Sequence, residues 1–166
     1  MQNNINITFD EIAKDIIYTK KFNELKHENH HGLTRYIHVM RVSKFTYKIA
    51  KFLKLDYVSA TRAALLHDYY INDDVSEISE AKKLKEHANV AYVNALNEFN
   101  LNEKEENAIK SHMFPLCKEL PKYKESWVLT SVDKGVAVYE MTKFKLTTAL
   151  TIYTLFIINM ILFGQK

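Results

Sequence analysis

Six residues of this chain stand out as candidates to hold divalent metals: His38, His67, Asp68, His87, His112 and Asp133. The adjacent pair His67-Asp68 is the most telling, because it closes the apolar run Ala63-Ala64-Leu65-Leu66. Burying such polar groups without a partner costs roughly a few kcal/mol, and a divalent ion would serve both. Neutral imidazole suits Fe, Mn, Co, Ni or Zn, and a carboxylate can bridge two cations. Spacing alone leaves the other four open, since an isolated histidine or aspartate also serves as a surface residue or a hydrogen-bonded core residue.

The elements that must position these residues read as helices almost throughout. Thr8 followed by Glu11 forms a capping-box pattern that opens a helix to about Leu25. The stretch from Lys26 to Gly32, with His27, His30 and His31, reads as a loop. Thr34 caps a second helix to about Leu53, with Ile37, Met40, Phe45, Ile49 and Phe52 on one side. Asp56 caps a third helix ending near His67. A fourth runs through Ala88, Ala91, Tyr92, Ala95, Leu96 and Phe99, and Asn102 with Glu105 opens a fifth to Ser111. Phe114-Pro115 and Leu120-Pro121 bracket a loop, because proline disfavours helix for the residue before it. A sixth helix spans about Tyr123 to Glu140. All six candidate ligands therefore fall in helices or at helix ends.

Three Gly and two Pro among 166 residues leave little turn chemistry for a many-stranded fold, so the chain reads as one all-α domain. The single Cys117 excludes an internal disulfide and fits a reducing cytoplasm. Acids and bases balance through Glu140, and the formal charge of +3 comes from Lys143, Lys145 and Lys166. No basic face for tracking phosphates is indicated, so specific nucleic-acid binding is not expected. The N-terminus has no charged and apolar leader pattern.

Residues 1–140 read as the helical domain and 141–166 as a hydrophobic C-terminal segment. Leu146 to Phe163 is an 18-residue stretch without a charge, the lower edge of a membrane-spanning length. Lys143 and Lys145 just before it suit a cytoplasmic domain tethered to the inner face of a membrane. The competing reading is a final helix buried against the domain.

The series H…HD…H…H…D resembles the HD superfamily of metal-dependent phosphohydrolases. The matching segments are Arg35-Tyr36-Ile37-His38, Ala64-Leu65-Leu66-His67-Asp68, Glu86-His87-Ala88, Ile109-Lys110-Ser111-His112 and Ser131-Val132-Asp133-Lys134, within 33–140. The two middle histidines make the pattern similar to the dinuclear members, and most of all to bacterial HD diadenosine-polyphosphate hydrolases. The resemblance implies a compact helical bundle. It also implies two divalent ions, one on His38, His67 and Asp133, the other on His87 and His112, with Asp68 bridging. A bridging hydroxide would attack phosphorus in a phosphoester or phosphoanhydride of a small nucleotide-type substrate.

The chain departs from the cyclic-dinucleotide phosphodiesterases of that superfamily. Tyr69-Tyr70-Ile71-Asn72 follows the pair in place of I-G-K, and no G-Y-P motif is present. That leaves the phosphate grip to Arg35, whose guanidinium can make two parallel hydrogen bonds, or more weakly to Lys134. Arg35 would equally serve as an ion pair that orients Asp68 or Asp133. His31 is a candidate substrate contact from its loop, and Tyr69, Tyr70 or Trp127 could stack on a base, although aromatic residues more often pack a core. The same ligands would equally serve a di-iron oxygenase or a non-catalytic, metal-stabilised sensor or adaptor.

Overall fold

Thr8 caps α1 (Phe9–Ile17), its hydroxyl accepting from the Glu11 amide while the Glu11 carboxylate accepts from the Thr8 amide. The computed structural model describes residues 6–30, 33–76 and 79–163, with the side chains of 29–30, 80–85 and 156–163 excepted. The first helix is shorter than its sequence pattern suggests. Thr19 donates to the Ile16 carbonyl and accepts from the Phe22 amide, which ends one helix and starts α2 (Lys20–Glu24). A 3-10 turn, Leu25–His27, follows. The expected loop carries a two-residue antiparallel ladder, β1 (Asn29–His30) with β2 (Leu33–Thr34). The helices thus carry the fold, and the chain is all-α as its sequence suggests.

The centre of the bundle is α4 (Tyr57–Leu66), capped by Asp56. Its Ala60, Ala63 and Ala64 are fully buried, small enough to let α3 (Arg35–Phe52) lie close against it. The side of α3 that packs inward is not the apolar one. Arg35, His38, Val39, Val42, Ser43, Thr46 and Ala50 are buried, whereas Ile37, Phe45, Ile49 and Phe52 are exposed. The helix turns its functional and small residues to α4 and leaves the large apolar stripe outside.

Capped by Asn102, α6 (Glu103–Ser111) packs on α4, on α5 (Glu80–Glu98) and on α7 (Lys124–Phe163). The expected boundary at Glu140 does not end α7, because no glycine or proline occurs between Gly135 and Gly164. Burial does change there: Glu140 is buried, and residues 141–155 are all exposed. Among the described residues no helix is long and apolar enough to cross a membrane. The second half of the charge-free stretch, from Phe156 on, lies outside the described side chains.

Candidate metal centre

His67 and His112 reach the same local geometry independently. Each is the C-cap of its helix, α4 or α6, with φ/ψ of −61/−32° and −59/−28°. The last carbonyls of a helix lack intrahelical donors. Here the imidazole turns back and its Nδ1–H donates 2.8 Å to a carbonyl three residues earlier, Ala64 for His67 and Ile109 for His112. A carbonyl can only accept, so Nδ1 carries a proton and Nε2 is the atom left to face the other donors. This is the orientation of a metal-ligating histidine with its other nitrogen held by the protein. Both rings are sealed from solvent.

His38, one turn into α3, and Asp133, on α7, complete one group of donors. Nε2 of His38 lies 3.0 Å from Asp133 Oδ1, and Nε2 of His67 lies 3.5 Å from the same oxygen. A second group forms around Asp68, whose Oδ1 lies 3.6 Å from His87 Nε2 and 3.7 Å from His112 Nε2. The two imidazole nitrogens of that group are 3.1 Å apart. Asp68 faces both ways, since its Oδ2 lies 3.8 Å from His67 Nε2. All six sequence-predicted ligands thus converge. His38, His67 and Asp133, and likewise His67, Asp68 and His112, bring ligand atoms within 4.8 Å of one another.

These spacings fit a metal. Donors bonded at about 2.1 Å to one ion lie roughly 3.0–3.5 Å from each other. Nε2 of His67 is fully buried and has no hydrogen-bond partner among the described residues, an orphan that an ion would satisfy. The donor set, imidazole with carboxylate, is that of a borderline divalent transition metal.

Electrostatics divide the ring of donors. Burial alone would drive the His38 proton off, but the hydrogen bonds to Asp133 and Glu140 and the charge of Asp68 outweigh it, raising the pKa to about 10. His67 is also pushed up: burial opposes its charged form, but Asp68 and Asp133 favour it more strongly. His112 goes the other way, down to about 3, through burial and the positive charge of its histidine neighbours. Burial also works against the Asp133 carboxylate, yet the imidazoles of His38 and His67 hold its pKa well below the usual range.

A family model for the HD domain matches residues 35–137, a span that contains all six donors. The chain belongs to the HD-domain family. No curated protein and no solved structure matches it. HD domains are generally metal-dependent hydrolases, and the donor cluster of this HD domain is compatible with that chemistry.

The remaining sequence candidates are placed differently. Arg35 is buried 3.9 Å over the Tyr70 ring, donates 2.8 Å to the Tyr70 carbonyl and pairs with Glu28 at 3.4 Å. Tyr70 in turn stacks on His87 at 5.6 Å. Arg35 therefore supports His87 through an aromatic ring; its ion pair is with Glu28 and not with Asp68 or Asp133. Lys134 donates 2.9 Å to the His112 carbonyl, so the structure shows it holding the ligand-bearing helix end. Tyr69 is fully buried in the core, its hydroxyl donating to Glu98 and sharing a hydrogen bond with Thr19. His31 lies outside the described residues.

Two residues of the site escaped sequence reasoning. Glu140 and Arg41 stand behind His38, with Glu140 Oε2 2.8 Å from its Nδ1 and Arg41 donating to Glu140 Oε1. The available signal was the interval from Asp133 to Glu140, seven residues or two helical turns on one face of α7.

Proposed function

We propose that this HD domain is a phosphohydrolase that uses two divalent ions to cleave a phosphoester or phosphoanhydride of a small, nucleotide-type substrate. One observation carries the reading: Asp68 turns Oδ1 to His87 and His112 and Oδ2 to His67. A carboxylate at the junction of two donor groups is where a bridging ligand belongs. His38, His67 and Asp133 would hold one ion, and His87 and His112 the other. When bound, such a pair supplies an acidified water at neutral pH and counter-charge for phosphoryl oxygens.

The protein groups do the orienting. Ala64 and Ile109 carbonyls fix the tautomers of His67 and His112, and Tyr70 lies against His87. Two of the donors are not fully sealed: the His87 and Asp133 side chains each keep 10% exposure, while His67 and His112 are closed off. A purely structural site would be closed all round, so this residual exposure supports the catalytic reading.

The test is phosphate release by metal-stripped protein reloaded with Mn(II) or Co(II), screened over nucleotides and dinucleoside polyphosphates. Asp68→Ala should lose at least about a thousandfold in rate, together with bound metal. Undiminished release by that variant rejects the reading. Turnover that consumes O₂ and requires iron assigns the site to oxygenase chemistry instead.

The domain works against a membrane in this reading, on the cytoplasmic side. Support comes from the charge-free run from Leu146 to Phe163 behind Lys143 and Lys145. Its threonines are no obstacle: the hydroxyls of Thr147, Thr148, Thr151 and Thr154 each donate to the carbonyl four residues before, at 2.8–2.9 Å. Such hydroxyls need no water. Full-length protein should sediment with membranes, and a chain ending at Lys145 should be soluble and active. A full-length chain found only in the soluble fraction rejects the tether.

A further inference from the structure

His38 is gripped at both ring nitrogens by carboxylates of the same helix. Asp133 Oδ1 stands 3.0 Å from Nε2, and Glu140 Oε2 stands 2.8 Å from Nδ1. The two acids are seven residues apart, about 10.5 Å along α7, and His38 lies across the interval between them. Their tasks differ. Asp133 sits among the ligand atoms and Oδ1 also faces His67. Glu140 faces away from that group and meets Arg41 with its other oxygen.

Glu140 is only 2% exposed, so its charge is expensive to keep unless paired. Arg41, also from α3, provides the countercharge and reaches towards solvent with its own side chain 27% exposed. The result is a buried carboxylate whose two oxygens are each committed to an α3 donor. It is the last buried residue of α7 before the exposed stretch that begins at Met141.

We infer that Glu140 is a positioning residue: by accepting the Nδ1–H of His38 it fixes that ring with Nε2 towards Asp133, and so sets how tightly the His38 group holds its ion. Asp133 acts as a ligand; Glu140 acts only through His38. The inference rests on the two-ion reading proposed above. Among histidine ligands in general, loss of such a partner lowers metal affinity by about 10–100-fold.

The test is a Co(II) titration of metal-stripped full-length protein, followed by the visible absorption of bound Co(II). The ion belonging to the His38 group is identified as the one that His87→Ala retains. Glu140→Gln keeps size and one acceptor but loses charge, and should weaken that ion by about tenfold or more. It should also perturb that ion's spectrum while leaving the affinity of the other ion within about twofold. Glu140→Asp preserves the charge and withdraws the acceptor by one methylene. It should weaken the same ion by a similar factor, and it provides a folded protein should the Gln variant not fold.

A residue that mattered only for folding would lower the melting temperature and loosen both ions alike. That result overturns the inference, as does wild-type affinity for both ions in either folded variant. Wild-type protein that binds no Co(II) rejects the metal centre itself, a failure distinct from that of Glu140.

Discussion

The two halves of the donor cluster are built from the same residue types and behave as opposites. In the half made by His38, His67 and Asp133, imidazole faces carboxylate, and a second acid, Glu140, stands behind. In the half made by Asp68, His87 and His112, imidazole faces imidazole at 3.1 Å, and the support is a backbone carbonyl for His112 and the Tyr70 ring for His87. Without an ion the first half is proton-loaded, with His38 raised to about 10, and His112 in the second is held neutral, near 3. The first half must surrender a proton to take a cation, whereas His112 is already in its ligand form. Identical chemistry on the residue level therefore yields unlike sites, and the neighbours decide which.

Removing one carboxylate or imidazole from each half breaks this contrast most directly. Asp133→Ala deletes the oxygen that faces both His38 and His67, and should cost the first ion and roughly a thousandfold in phosphate release. His87→Ala should remove only the second ion, leaving one equivalent bound through His38, His67 and Asp133. Metal analysis after dialysis reads both. Equal loss of both ions in each variant would show that the halves are one unit and that their contrast has no energetic meaning.

The next largest effect is in pH. Of the folded-state shifts, that of His38 runs upward from an ordinary 6.5 to about 10. In the metal-free protein its contribution to stability is full below pH 6.5 and is lost as pH rises through about 10. His67, also raised, has the same sign. For His112 the folded value is depressed to about 3, so the unfolded chain takes up a proton between pH 6.5 and 3 that the folded one refuses. Stability from this group is present above pH 6.5 and falls towards pH 3. The metal-free melting temperature should therefore peak near pH 6.5 and decline on both sides. Metal loading should flatten the alkaline side, and affinity should tighten as pH rises from 6.5 towards 10, with release of a proton from His38. Calorimetric titration in buffers of different ionisation enthalpy counts that proton. Its persistence in His87→Ala places it in the first half.

What could be read from the residues was local: ligand types and caps. Thr34, Asp56 and Asn102 each accept from the backbone amide three residues on, as short polar side chains before a helix should. The six donors were legible because few other arrangements leave His-Asp at the end of an apolar run. Facing and long-range partnership were not legible. The apolar periodicity of α3 put Ile37, Phe45, Ile49 and Phe52 on one side without saying which way it faces; α4 presents alanines, and the inward side of α3 is the one carrying His38. Neighbouring tyrosines diverge for a similar reason. Tyr69 enters the core beside Phe99, and Tyr70 turns to His87. Glu140 went unnoticed because its partners lie about a hundred residues earlier in the chain, separated from it by 102 and 99 positions.

The smallest effect concerns Lys134, and it decides whether the second half is held by its backbone or assisted by a cation at the substrate. Its ammonium donates 2.9 Å to the carbonyl of His112, past the end of α6. Burial lowers its pKa, opposed by the charge of neighbouring Asp133, so the group is committed to the interior side of its helix. Lys134→Met keeps the apolar stem and removes the donor. A hydrogen bond from a charged donor to a carbonyl is worth about 1.5 kcal/mol, equivalent to a melting temperature lower by roughly 3–6 °C in a chain of this size. His112 would keep its Nδ1 bond to Ile109, so kcat should fall no more than about tenfold and KM should change little. A lysine that instead gripped a substrate phosphate would show the reverse pattern. Its loss would leave the melting temperature unchanged and raise KM by about a hundredfold, because the missing interaction would exist only with substrate bound.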